Sequence, residues 1–169
     1  PLYGDLSPAD QDRAIAPSAP SRRKVVLATS IAETSLTIEG VRIVIDSGQM
    51  RVPKFSPRSG MTRLETVRVS QASADQRRGR AGRLEPGICY RLWPEQAQRG
   101  LLPFTPPEIL DADLAPLALE LAAWGTGDAA SLPWLTQPPP ASLATARVLL
   151  ADLGAIDGNG AITQHGRAM

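Results

Sequence analysis

The chain has 169 residues, 43% of them apolar and 21% charged, with a net charge of +1. That length supports one medium domain or two small ones, and no secretory apolar region or apolar stretch of membrane-spanning length occurs in it. A single cysteine, Cys89, excludes an internal disulfide and suits a cytoplasmic protein.

The small net charge hides a division. Residues 1–100 hold sixteen Lys/Arg against ten Asp/Glu, a net of +6, and residues 101–169 hold two against seven, a net of −5. A basic front and an acidic back predict two modules with different partners, divided near residue 100.

In chain order, the first predicted element is a strand over residues 24–30, whose apolar run Val25-Val26-Leu27-Ala28 suits burial on both faces. A hydroxyl-rich stretch follows, from Thr29 and Ser30 through Glu33, Thr34, Ser35 and Thr37 to Ile38. Loops after parallel strands are where α/β proteins place their sites. A Ser/Thr turn satisfying its own backbone is the plainer reading. Residues 41–46 read as a second strand, closed by the turn Asp46-Ser47-Gly48. Residues 51–70 alternate basic, apolar and Thr residues around Ser56-Pro57-Arg58-Ser59-Gly60, which predicts a β-hairpin. It carries Arg51, Lys54, Arg63 and Arg68 and only one aromatic residue, Phe55. That composition favours phosphate contact over base stacking, with a solvated edge ribbon as the alternative.

The run Gln76-Arg77-Arg78-Gly79-Arg80-Ala81-Gly82-Arg83 carries the most information in the chain. Ser73 and Gln76 have capping-box spacing, which predicts a helix starting near Ala74. On such a helix Gln76, Arg80 and Arg83 stand at i, i+4 and i+7 and share a face. Gly79 and Gly82 would admit another backbone or a ligand. Two guanidinium forks and one amide suit a small anionic target such as a triphosphate. A basic helix face on solvent or nucleic-acid phosphate is the competing reading.

Residues 87–93 predict a third strand, with Cys89 as a core thiol. Residues 94–107, rich in Pro, Gln and Gly, mark a boundary. An amphipathic helix is predicted over residues 108–123, ended by Trp124-Gly125, and a second runs from Pro138-Pro139-Pro140 to about Leu153, stopped by Gly154. Residues 155–163 give a strand–turn–strand signal. Helix, helix and hairpin suggest a winged-helix domain, whose acidic charge argues against DNA binding. His165, the only histidine, reads as a helix-start residue, and no metal site is predicted.

The run from Gln76 to Arg83 resembles motif VI of superfamily 2 helicases. Residues 29–38 resemble motif V of the DEAH/RHA helicases, usually T-N-I-A-E-T-S-L-T-I, with Ser30 in place of Asn. About forty residues separate the two, as in the family. Pro1 to Gln11 resembles the segment after motif IV. Over nearly its whole length the chain therefore resembles the DEAH/RHA RNA helicases, most of all the compact bacterial type.

The resemblance implies an α/β fold: a RecA-like parallel-sheet lobe over residues 1–100, then a small, mostly helical winged-helix domain over 101–169, truncated at its C-terminal end and packed as a platform. It implies that Arg80 and Arg83 are arginine fingers on the γ-phosphate of ATP and that Gln76 helps place the attacking water. It sets Ser35 near the γ-phosphate, Thr37 and Glu39 near the ribose (Asp is usual where Glu39 stands), and Ile15 against the adenine. Thr29 is given an RNA phosphate contact, and the hairpin with Arg63 and Arg68 the role of a ribbon near the RNA path. Neither G-x-x-x-x-G-K-[ST] nor D-E-A-H occurs in the chain. The expectation is therefore a C-terminal lobe, inactive alone, whose missing N-terminal RecA-like lobe holds the Mg2+ ligands. Its expected partners are that lobe and single-stranded RNA, with DNA possible. A non-catalytic nucleic-acid-binding module and a DNA-specific superfamily 2 helicase lobe are the other readings.

Overall fold

A computed structural model of the chain describes residues 1–19, 21–34 and 38–169. Its elements run α1 (Pro8–Ile15), α2 (Ile31–Thr34), β1 (Ile43–Asp46), β2 (Gln49–Ser56), β3 (Met61–Arg68), α3 (Gln71–Arg78), β4 (Ile88–Arg91), α4 (Glu95–Arg99), α5 (Ala115–Trp124), α6 (Pro140–Asp152) and α7 (Gln164–Arg167). They form two compact units: Pro1–Val52 with Glu65–Thr105, and Pro53–Leu64 with Pro106–Met169. The units divide after Thr105, within the stretch 94–107 that marks a boundary in the sequence, and they share the hairpin between them.

In the first unit β1 and β4 pair in parallel, in register from Ile43 opposite Ile88 to Asp46 opposite Arg91. Alternation along both strands sorts their side chains. Val44, Asp46, Cys89 and Arg91 are buried or half-buried, whereas Ile43, Ile45, Ile88 and Tyr90 are each more than half exposed. Helix α3 packs against β1. A small core of Val69, Ala74 and Leu101, with Met50 and Trp93 against it, lies beside the turn that follows β1. That turn requires a glycine: Gly48 has φ +72°, and a Cβ there would come 2.6 Å from Cε3 of Trp93.

The strand expected over residues 24–30 reduces to one parallel bridge, Leu2 with Ala28, held by Leu2 N–H to the Leu27 carbonyl (2.8 Å) and Thr29 N–H to the Leu2 carbonyl (3.0 Å). Leu2 is fully buried, but Val25 and Leu27 are 84% and 73% exposed, not covered on both faces. A strand needs partners along its length, and Leu2 supplies only one register. The helix α1 was not read from the sequence. Its start signal is present: Ser7 Oγ accepts from the Asp10 N–H, and Pro8 opens the first turn.

In the second unit α5 and α6 pack together around Leu114, Ala118, Leu121, Leu143, Ala146, Leu150 and Ile156. The helix expected over 108–123 is divided into a 3-10 turn, Glu108–Leu110, and α5. Pro116 lacks an N–H and its ring would collide with the carbonyl of Ala112, so the helix starts at this point instead of running through it. Gly125 (φ +79°) and Gly154 (φ +68°) follow α5 and α6 as expected. The strand–turn–strand signal gives a single antiparallel bridge, Ile156 with Ile162, around a turn in which Asp157 Oδ1 accepts from the N–H groups of Asn159 (2.8 Å) and Ala161 (2.9 Å). In this unit the Phe55 N–H of the hairpin tip donates to the Asp111 carbonyl at 3.0 Å.

Candidate functional site

Helix α2 is one turn long and buries none of its residues. Ile31, Ala32 and Glu33 are half-buried, and polar contacts from α3 tie the turn down. Glu33 is their focus. Its Oε2 accepts from Ser73 Oγ at 2.6 Å and from Arg77 Nε at 2.9 Å, and its backbone carbonyl accepts from Arg80 Nη2. Arg77 reaches further, its Nη1 donating to Asp46 Oδ1 at 3.0 Å and to the Gln49 carbonyl at 3.1 Å.

The arginine-rich run is not one helix face. Ser70, not Ser73, caps α3: its Oγ accepts from the Ser73 N–H at 3.1 Å, and the helix begins at Gln71. It ends at Arg78, with Gly79 as its C-cap. Beyond it the chain tightens into three-residue turns, Arg80 N–H to the Arg77 carbonyl and Ala81 N–H to the Arg78 carbonyl, both at 3.1 Å. The i, i+4, i+7 spacing does not put Arg80 and Arg83 on one helix face with Gln76, although all three line one cleft. Gln76, Arg80 and Arg83, with Glu33 and Thr34, line a cleft of about 350 Å³. A Cβ on Gly82 would meet no atom within 4 Å, so the backbone there stands open. The Arg80 guanidinium is pushed below its usual pKa, first by burial and then by Arg83, while Glu33 opposes the shift. An arginine so shifted still carries its charge at neutral pH.

A second cleft, about 330 Å³, is lined by Gly4, Thr29, Ser30, Ile31, Glu33, Thr34 and Met50. Glu33 and Thr34 therefore contribute to both clefts, with Thr29 in one and the arginines in the other.

The remaining sequence candidates lie elsewhere. Ile15 ends α1 half-buried, and Glu39 is exposed in the turn before Gly40; neither lines either cleft. Ser35 and Thr37 lie outside the described residues. Arg63 and Arg68 are both exposed on β3, and their separation of five residues puts them on opposite faces of the strand. Arg78 is exposed and points to Asp75 Oδ1 at 3.6 Å. Asp75 also takes Arg91 Nη2 at 2.7 Å, and the Arg91 guanidinium lies 5.6 Å from the centre of the Trp93 ring.

The sequence reading missed Glu33 and Arg77 as a pair. Arg77 stands between residues with assigned roles, and forty-four residues separate it from its carboxylate partner, so no local spacing announces the contact. Gly87 was also missed: a Cβ there would come 1.7 Å from the Ala81 carbonyl oxygen. Among the described residues no group of three His, Cys, Asp or Glu could hold a metal ion, and no helix is long and apolar enough to cross a membrane.

Known proteins resemble this chain along nearly its whole length. A family model for the helicase conserved C-terminal domain matches residues 1–85. ATP-dependent RNA helicase HrpB of Escherichia coli is 57% identical over 159 residues, 94% of this chain and 20% of the relative. Probable ATP-dependent RNA helicase DHX34 of Homo sapiens is 44% identical over 98% of the chain and 14% of its own length. A crystal structure of the Escherichia coli DEAH/RHA helicase HrpB superposes with a TM-score of 0.91 at 52% identity, covering 98% of this chain and 21% of the solved one. The chain thus spans about a fifth of the length of the HrpB relative. By its motifs, its parallel β1–β4 pair and these likenesses, the chain belongs to the helicase conserved C-terminal domain family, in the DEAH/RHA group.

Proposed function

We propose that this chain is the C-terminal lobe of a longer ATP-dependent RNA helicase, that it supplies two arginine fingers for ATP hydrolysis, and that it forms part of a single-stranded RNA track. The observation that carries the reading is the cleft where Gln76, Arg80 and Arg83 converge beside Glu33 and Thr34. Two relatives, an ATP-dependent and a probable ATP-dependent RNA helicase, support it.

In this reading the γ-phosphate of ATP enters the cleft from an N-terminal lobe elsewhere in the protein. The Arg80 and Arg83 guanidinium groups face its oxygens, where negative charge spreads as the bond to the leaving oxygen loosens. The Gln76 side-chain amide offers both a donor and an acceptor to orient the attacking water. Before nucleotide arrives, the Glu33 carbonyl holds the Arg80 fork and so limits the rotamers it must give up. The described residues fit the phosphate end of the substrate and offer no ligand set for Mg2+, which would screen phosphate charge from the other lobe. The Thr29 cleft, sharing Glu33 and Thr34 with the first, is assigned to RNA backbone contact. The cytoplasm is the proposed setting.

The test is RNA-stimulated ATP turnover of the full-length enzyme. Arg80→Ala or Arg83→Ala should lower kcat by roughly a thousandfold or more, with far less change in nucleotide affinity. Losses that instead track lost RNA affinity would make the cluster a nucleic-acid patch, the reading of a non-catalytic binding module.

A further inference from the structure

We propose that Arg77 is a positioning residue for the reaction: by bridging Glu33 and Asp46 it fixes the helix that borders both clefts. The proposal rests on the nucleotide-site reading above and adds to it a residue outside the arginine pair assigned to phosphate.

Three observations carry it. First, α2 is a single turn with no fully buried residue, and the polar contacts of Glu33 tie it to α3. Second, those contacts converge on one carboxylate oxygen from two residues of α3, Ser73 and Arg77, while Arg80 holds the carbonyl of the same residue. Glu33 is thus tied to the arginine run through both its side chain and its backbone. Third, the far end of Arg77 is fixed to the sheet. The Asp46 side chain is 1% exposed, its Oδ1 also accepts from the Gly48 N–H at 3.0 Å, and its Oδ2 has no hydrogen-bond partner among the described residues. Arg77 is the only cation within ion-pair distance of Asp46 in the described residues, and its own side chain is 16% exposed.

The chemistry requires an arginine. One planar fork donates from Nε to Glu33 and from Nη1 to Asp46 and the Gln49 carbonyl, in fixed relative directions. A lysine ammonium would keep the charge beside Asp46 without spanning both carboxylates. Arg77 thus sets the distance between α2 and the end of β1, and with it the wall shared by the Thr29 cleft and the Arg80 cleft.

The experiment compares Arg77→Lys, Glu33→Gln and their combination with Arg80→Ala in the full-length enzyme, measuring melting temperature, kcat and the KM values for ATP and RNA. The expected result is a kcat lower by about tenfold to a hundredfold for each single variant. KM for ATP should change by less than about threefold, and each variant combined with Arg80→Ala should lose little more than Arg80→Ala alone. A fall in melting temperature with unchanged kcat for the folded enzyme would overturn the positioning role. If Arg77→Lys fails to fold, Glu33→Gln decides by the same split, since it keeps the shape of the side chain. Unchanged turnover in Arg80→Ala would sink the nucleotide-site reading itself; a dead Arg80→Ala beside a fully active Arg77→Lys would sink only this proposal.

Discussion

Gly87 lies against the backbone of Ala81, so closely that a Cβ at position 87 would come 1.7 Å from the Ala81 carbonyl oxygen and 2.4 Å from its carbonyl carbon. The obstacle is main chain, which cannot rotate away as a flexible side chain would. Ala81 sits between Arg80 and Arg83, so the strand entry at residue 87 and the arginine loop are held in one arrangement. Gly87→Ala should therefore displace that loop. The expected outcome is a loss of about 3 kcal/mol or more in denaturant unfolding, together with loss of ATP turnover. Wild-type stability in that variant would show that the loop is slack.

The three arginines of the run should separate. Arg80 and Arg83 line the cleft, whereas the Arg78 side chain is 63% exposed and faces Asp75. Arg78→Ala should keep ATP turnover within about threefold of the parent, since exposed pairs contribute little. Arg80→Lys should be nearly as damaged as Arg80→Ala, because an ammonium cannot reproduce a planar two-pronged contact. Equal losses at positions 78 and 80 would contradict this assignment.

The hairpin arginines were read together as RNA contacts, but Arg63 and Arg68 lie on opposite faces of β3. A single strand passing along one face meets one of them. Arg68 belongs to the same compact unit as Thr29, and it is the one expected to act. Arg68→Glu should lower RNA affinity and reduce the slope of log affinity against log salt by about 0.7, the value for one phosphate on a single strand. Arg63→Glu should leave the slope unchanged. A slope reduced equally by both would mean that the nucleic acid wraps the ribbon.

Cys89 gives a pH-dependent prediction. Its thiol is pushed above the usual range, first by burial and then by the nearby Asp46, with Arg91 and Arg78 opposing. The neutral thiol is thus favoured in the folded chain. As pH rises through the unfolded thiol pKa of about 8.5, the unfolded chain ionises first and the folded state loses stability; below that pH the group contributes no slope. Alkylation by iodoacetamide at pH 8 should be slower in the folded protein than in the denatured chain, and absent in Cys89→Ser. A folded-state rate above that of the denatured chain would mark an activated thiol instead.

What the sequence made legible was chemistry near in sequence: the arginine run, the hairpin between Gln49 and Arg68, the glycines after α5 and α6. Each is set by local spacing or by a positive φ that few residues tolerate. Contacts that depend on distant residues were not legible. The Glu33–Arg77–Asp46 chain joins three separate segments, and the strand expected over residues 24–30 lacks the neighbours that apolar composition alone cannot guarantee. The capping-box spacing at Ser73 misled because Ser70, three residues earlier, offers the same hydroxyl to the same turn. Arg80 and Arg83 reach the cleft beside Gln76 through tight turns, not along one helix face, because α3 stops two residues short of Arg80.

The parity of β1 and β4 has a practical consequence. Ile43, Ile45, Ile88 and Tyr90 form a bare apolar strip on one side of the pair, while Asp46, Cys89 and Arg91 occupy the other. Such a strip makes these 169 residues, expressed alone, prone to clump through sheet faces. Because adjacent positions never share a side, the strip can be rewritten with threonine or glutamate at Ile43, Ile45 and Ile88 without altering a residue that touches Arg77 or its carboxylates. The chain can in this way be made tractable for binding studies while its arginine cleft stays native.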